Sequence, residues 1–453
     1  MDGFGIKRLR KALYFLFAAA LLAPLVTPAP AAAQGIALVR DDEIEADLKT
    51  FAVPIFQAAG LEAQDITIHL VNDDDVNAFV AVGQNMFFTT GLLLFAKNAN
   101  QVMGVIAHEA GHIAGGHLAR REEEMREAMM QQIVSLVLGA GAVVAGSPGA
   151  GQGIILGGQQ VAQRQFLAYS REHEAAADAA ALKFLETDKQ SARGLADFLE
   201  LLNRKEARSA RQDEYVRSHP LTPDRIQFVE DQVSKSPYTD APAPAGYDEK
   251  FARIQAKLTG FLKPLAVTLR QYPETDQSLA GRYARAIAYY RKPDLKKALP
   301  LVDGLIAEHP KDPYFWELKG QMLFENGRLP EAIPAYEESV KLLPDSMLLR
   351  VALSQAYLET NDPTYIEPAL ANLLSAVGQD RTMPSVWRLL AIAYGRKGEF
   401  GLSSLSLAER AFLLRDIKEA RNQIARAEKL LPEHSAGWQR AQDLKQAIKN
   451  QKT

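Results

Sequence analysis

No cysteine occurs in the 453 residues, which excludes disulfide staples, a thiolate-ligated zinc and the lipid anchor of a bacterial lipoprotein. Net charge is only −3 and basic residues do not cluster with aromatics, so no nucleic-acid partner is expected. Long apolar runs are scarce as well. Ala12–Val26 is apolar but broken by Pro24, and it is shorter than the roughly 20 residues a spanning helix needs. Its surroundings explain it better: Lys7, Arg8, Arg10 and Lys11 precede it, and Ala31-Ala32-Ala33 offers a small-residue exit before Gln34. The expectation is a signal peptide over residues 1–33, cleaved near Ala33, and a periplasmic mature chain; a retained leader would instead tether the protein to a membrane. A further absence lies inside the chain. From Ala128 to Gln163 there is no Asp, Glu, Lys or Arg, and glycine is frequent. At Ile133–Ala145 this stretch is too short and glycine-rich to span a bilayer alone, and it reads as a lid over a cleft, with peripheral membrane or partner contact through 128–163.

What is present divides the chain. Residues 34–233 mix strand and helix patterns. Ile66–Asp73 alternates apolar and polar positions, and Asn77–Leu93 reads as one or two further strands around Gly83. Asn98 or Asn100 caps a following helix, and Ser170–Glu186 and Ala192–Asn203 are helical. A proline-rich linker is placed at 234–250 and a helical domain at 251–453. In that domain Leu295, Ala298 and Pro310 repeat as Leu329, Ala332 and Pro344, a period of 34 that is the tetratricopeptide length. Such units bury their apolar faces only by stacking, so a solenoid with a concave groove is expected. The 88 residues from Pro344 to Pro432 break the period, which leaves the register open after about residue 378.

The chemistry concentrates in "VIAHEAGHIAGGHLA", Val105–Ala119. His108 and His112 are four apart, hence on one helix face, and can present nitrogens to one ion. Glu109, the next residue, points beside that ion, where it can take a proton from water that the metal acidifies. A catalytic zinc needs a third protein ligand. His117 lies about 140° around a continuing helix from His112 and would face away. Glu174 is the other candidate: it shares a helix face with Asp178, whose carboxylate can hold the ring N–H of a ligand histidine. Ala175–Ala177 would let two helices approach closely.

His108-Glu109-x-x-His112 followed by Glu174-x-x-Ala177-Asp178 resembles the HExxH…ExxAD zinc endopeptidases, the group of CAAX prenyl endopeptidases and HtpX heat-shock proteases. The resemblance implies an α+β, mainly helical fold: a zincin-type metallopeptidase domain with a small sheet, here followed by an all-α tetratricopeptide-repeat solenoid. It implies one Zn²⁺ per chain on His108, His112 and Glu174, with Glu109 as general base and Asp178 orienting a ligand. His219 and Arg225, in "HPLTPDR", match a further segment of the group. The histidine would either steady the oxyanion or occupy the open zinc position and keep the enzyme latent. Asn77, Ala78, Phe79 and Val80 match the group's active-site strand, which pairs with extended substrate. The exported, repeat-bearing members imply a function: an endopeptidase that degrades unfolded or stalled outer-membrane proteins, its repeats binding clients or the assembly machinery. The alternative is a non-proteolytic periplasmic chaperone or scaffold with a closed zinc site.

Overall fold

The computed structural model describes residues 38–81, 84–117, 119, 170–208 and 213–450. The expected signal peptide at 1–33 and the uncharged stretch 128–163 lie outside the described residues. The carboxy-terminal half is helical throughout, and the sheet belongs to the first part of the chain.

Strands β1 (Leu38–Val39), β2 (Thr67–Val71), β3 (Ala78–Ala81) and β4 (Asn85–Thr89) form one sheet in the order β1-β2-β4-β3. The central pair, β2 and β4, is parallel with Ile68 opposite Met86, while β1 and β3 are antiparallel edges. Alternation in β2 buries Ile68 and Leu70 and leaves Thr67 exposed, as the period-two pattern requires. Asn77–Leu93 is not strand to its end. Thr89 caps a short helix, α2 (Thr90–Phe95), by accepting the Leu92 N–H on its hydroxyl, and this local cap outcompetes the strand propensity of the apolar run.

Before the second strand runs α1 (Asp42–Ala58), capped by Asp41. Its Ile44, Leu48, Phe51, Ile55 and Phe56 are buried at helical spacing. The centre of the domain is α3 (Ala99–Ala114), in which Gln101 through His112 are all buried. Asn98 is its cap, accepting the Gln101 N–H. Residues 170–187 form α4, followed by α5 (Arg193–Glu206), α6 (Glu214–Ser218) and α7 (Pro223–Lys235). Glycines set the helix spacing around α3. A Cβ on Gly111 would lie 2.8 Å from the Ala177 carbonyl oxygen of α4, and one on Gly104 would lie 2.6 Å from the Leu195 nitrogen of α5. Both helices can therefore approach α3 closely enough to bring polar side chains together.

After the irregular segment at 236–246, α8 (Tyr247–Leu262) serves both halves. Phe251, Ile254 and Leu258 join the core of the first domain, and Ala256 joins the first core of the repeats. Helices Leu295–Glu308 and Leu329–Leu342, and Pro313–Glu325 and Met347–Glu359, recur at the expected 34 residues. The slip has a local cause. Pro363–Tyr365 inserts one 3₁₀ turn before Ile366–Gln379, so that helix begins 37 residues after Leu329, and Pro384–Lys397 follows Met347 by the same 37. The start of α1 is held by the repeats: buried Glu43 pairs with Arg253 and Lys257 and accepts from the Tyr283 hydroxyl, and Asp42 bonds Ser346. Among the described residues no helix is long and apolar enough to cross a membrane.

Candidate metal centre

Three elements deliver the polar cluster. On α3, His108 and His112 project from one face as the four-residue spacing requires; α4 brings Glu174 and Asp178; the turn after α6 brings His219. One ligand atom from each of His108, His112, Glu174 and His219 falls within 4.8 Å of the others, and all four residues are buried. His108 Nε2 lies 3.1 Å from His112 Nε2 and 3.3 Å from Glu174 Oε2, and His112 Nε2 lies 3.4 Å from Glu174 Oε1. His219 Nδ1 is 3.1 Å from Glu174 Oε1 and 3.4 Å from His108 Nε2. Its Nε2 lies 3.3 Å from the Ala78 carbonyl oxygen and 3.5 Å from Glu109 Oε1.

Behind these groups stands a second layer. Asp178 Oδ1 lies 2.9 Å from His108 Nδ1, leaving His108 Nε2 for the cluster. Arg225 donates to Asp178 through Nε at 2.7 Å and Nη2 at 3.0 Å, and its Nη1 is 2.9 Å from Glu174 Oε2 and 2.9 Å from the Pro220 carbonyl oxygen. Arg225 thus clamps two carboxylates and the segment that carries His219. The expected substrate strand is β3, an edge of the described sheet. Asn77 precedes it, its carbonyl accepting the Thr89 N–H and its side chain the Ser218 hydroxyl at 3.4 Å. Because Asn77 pairs inward with β4, the alternation of an antiparallel ladder turns the main-chain groups of Ala78 and Val80 to the open edge, with Phe79 facing back toward β4.

The electrostatics favour a cation. Burial disfavours charge on His108, but Asp178 and Glu174 outweigh it and raise the ring to about 10. His112, buried and beside His108, falls to about 3. Burial also opposes charge on Glu174, yet His219, His108 and His112 hold its carboxyl well below the usual range; burial likewise opposes charge on Asp178, but His108 and Arg225 outweigh it and lower its pKa. The carboxylates draw positive charge into this pocket, and a divalent ion among the three imidazoles and Glu174 meets the same demand. Glu109 supplies a second test of fit. It is fully buried, neither carboxylate oxygen has a hydrogen-bond partner among the described residues, and burial raises its pKa despite His219 and His108. An orphaned carboxylate beside a nitrogen-rich ligand set is costly unless a polar group completes it. The donor set of imidazoles and one carboxylate suits zinc.

Residues 39–233 match the sequence profile of peptidase family M48. This segment is an M48 peptidase domain. Residues 283–346 match a tetratricopeptide-repeat profile. The chain is 24% identical over 350 residues to the β-barrel assembly-enhancing protease of Yersinia pestis, covering 76% of this chain and 70% of that one. To the protein of the same name from Escherichia coli K12 it is 24% identical over 333 residues, 72% and 66% of the two chains. To metalloprotease LoiP of E. coli K12 it is 29% identical over 176 residues, 38% of this chain and 65% of the other. The chain therefore spans about two-thirds of the length of these curated relatives. The M48 match over residues 39–233 makes this chain a metallopeptidase, and the buried group of His108, His112, Glu174 and His219 is one that could hold its metal.

Two residues beside the cluster are not signalled by sequence spacing. His117 was expected to face away from His112 on a continuing helix, but α3 ends at Ala114, and His117 Nδ1 lies 3.0 Å from His112 Nδ1. The consecutive Gly115 and Gly116 were the signal for that stop. Tyr215, fully buried, packs its ring 4.7 Å from that of His219, and its hydroxyl has no hydrogen-bond partner among the described residues. Nothing in its spacing marked it.

Proposed function

We propose that the chain is an exported, zinc-dependent endopeptidase that degrades unfolded or stalled outer-membrane proteins and is latent in the form described here. The observation that carries this reading is the position of His219. It supplies a fourth buried donor to the His108, His112 and Glu174 set, contacts Glu109 and takes the Ala78 carbonyl on the open edge. A zinc site with three protein ligands is competent, and a fourth ligand closes it. His219 also sits where an extended substrate would pair with β3. Withdrawal of one side chain would therefore open the metal, the base and the strand edge together.

When bound, zinc supplies a Lewis acid that polarises a scissile carbonyl and makes a water more acidic. The residues do the rest. Ala78 and Val80 align the substrate backbone along β3. Glu109, with its raised pKa, takes a proton from the attacking water and delivers it to the leaving amide nitrogen. Asp178 fixes the His108 tautomer, and Arg225 balances the buried charge of Asp178 and Glu174. The repeats hold clients or assembly-machinery proteins, a reading supported by the repeat profile and by the name of the relatives. Periplasmic residence is supported by the leader-like segment 1–33.

The test is cleavage of a urea-unfolded outer-membrane β-barrel protein by the purified chain, wild type beside His219→Ala. The expected result is slow cleavage by wild type and faster cleavage by the variant. No cleavage by either, with zinc bound to both, would replace this reading with that of a scaffold whose zinc site is closed.

A further inference from the structure

The His108 ring is oriented by Asp178, but nothing so far accounts for how His112 is held. Helix α3 stops at Ala114, Gly115 closes the last turn by donating to the Gly111 carbonyl, and Gly116 adopts φ 64°, the left-handed region that reverses the chain. This brings His117 back over the helix end. The fit is tight: a Cβ on Gly115 would lie 2.4 Å from His117 Nε2, so residue 115 must lack a side chain for the ring to lie where it does. His117 is 6% exposed, its Nδ1 is 3.0 Å from His112 Nδ1, and the two rings meet edge to face at 78°. Its other face stacks on His173 at 4.5 Å and 9°, one residue before the ligand Glu174.

We propose that His117 is the positioning residue for His112, fixing the tautomer and orientation of that metal ligand and coupling its ring to the helix that carries Glu174. The inference rests on the metallopeptidase reading of the site. A neutral imidazole carries one N–H, and a nitrogen that ligates a metal must be bare. His112 turns Nε2 toward His108 and Glu174, so its Nδ1 bears the hydrogen and donates it to His117 Nδ1. His117 is then an acceptor at Nδ1 and carries its own hydrogen on Nε2. The two ligand histidines thus receive different acceptors, a carboxylate for His108 and an imidazole for His112.

The experiment is zinc titration of the full chain against a chelating dye, with cobalt(II) absorption as a readout of ligand geometry, on wild type, His117→Leu, His117→Asn and Gly115→Ala. The expected loss of zinc affinity in His117→Leu is about 10- to 100-fold, the range for removing a group that orients a metal-bound histidine. His117→Asn, which returns an oxygen acceptor near the Nδ1 position, recovers most of that affinity and keeps the cobalt bands of wild type. Gly115→Ala, which drives a methyl into the ring, weakens zinc in the same direction and keeps the positioning claim testable if His117→Leu does not fold. Equal affinity in His117→Leu and wild type overturns the inference, as does equal loss in His117→Leu and His117→Asn. Wild type that binds no zinc overturns the metal reading as well, so the two failures are distinguishable.

Discussion

Replacing Asp178 by Asn tests how the centre is held. The carboxylate is fully buried and engages three groups: His108 Nδ1 at 2.9 Å and Arg225 at 2.7 and 3.0 Å. Asn keeps the shape but removes the charge, and its amide hydrogens oppose the guanidinium. Arg225, 5% exposed, is left with Glu174, the carboxylate also needed at the metal. Breaking one side of such a buried pair costs about 3–5 kcal/mol. For a domain of this size each kcal/mol lowers the melting point by about 2–4 °C, so the metal-free variant should melt roughly 6–20 °C lower. Zinc affinity should fall about 10- to 100-fold, or about 1.4–2.8 kcal/mol, because the His108 ring loses its anionic acceptor. Calorimetric melting with and without zinc reads both effects, and zinc should restore less stability to Asp178→Asn than to wild type. A variant that melts within about 2 °C of wild type and binds zinc as tightly would refute the argument, because such a pair could not be both buried and broken.

Other expectations follow from the same structure. In Glu43→Gln, Lys257 and Arg253 lose a 1% exposed partner, and repeat docking should weaken by about 3–5 kcal/mol, read as faster limited proteolysis near 236–246. Burial opposes charge on Glu43, but Lys257 and Arg253 outweigh it and lower its pKa. Its contribution is therefore present above the unfolded carboxylate value of about 4.3 and is lost as pH falls through the lower folded value. Wild type should lose docking on acidification, and Glu43→Gln should show a flatter profile by small-angle scattering. Gly111→Ala should cost about 1–3 kcal/mol by pushing α4 from α3 at Ala177, and should weaken zinc binding by moving Glu174.

The legible parts of the site were those encoded by short-range spacing. His108 and His112 on one helix face, and Glu174 with Asp178 on another, follow from a period of 3.6 and meet in the structure. The mainly helical fold with a small sheet, and the 34-residue repeat, were legible for the same reason. Harder were features set by a change of backbone state. The helix stop at Gly115-Gly116 turned His117 from a bystander into a neighbour of His112, because an angular argument holds only while the helix continues. The strand expected to run to Leu93 stops at the Thr89 cap, and the repeat slip is one 3₁₀ turn. The packing of Tyr215 on His219 and the burial of Glu43 among the repeats are tertiary contacts without a local signature.

The central claim, that Glu109 works as the base of a metal site held by His108, His112 and Glu174, is tested most directly by measuring zinc content and casein cleavage together in wild type and Glu109→Gln, each also prepared with His219→Ala to remove the fourth donor. The account predicts one zinc per chain in every form, with cleavage about 10²- to 10⁴-fold lower wherever Glu109 is replaced. Undiminished cleavage in Glu109→Gln, or a wild-type chain that binds no zinc, would contradict it.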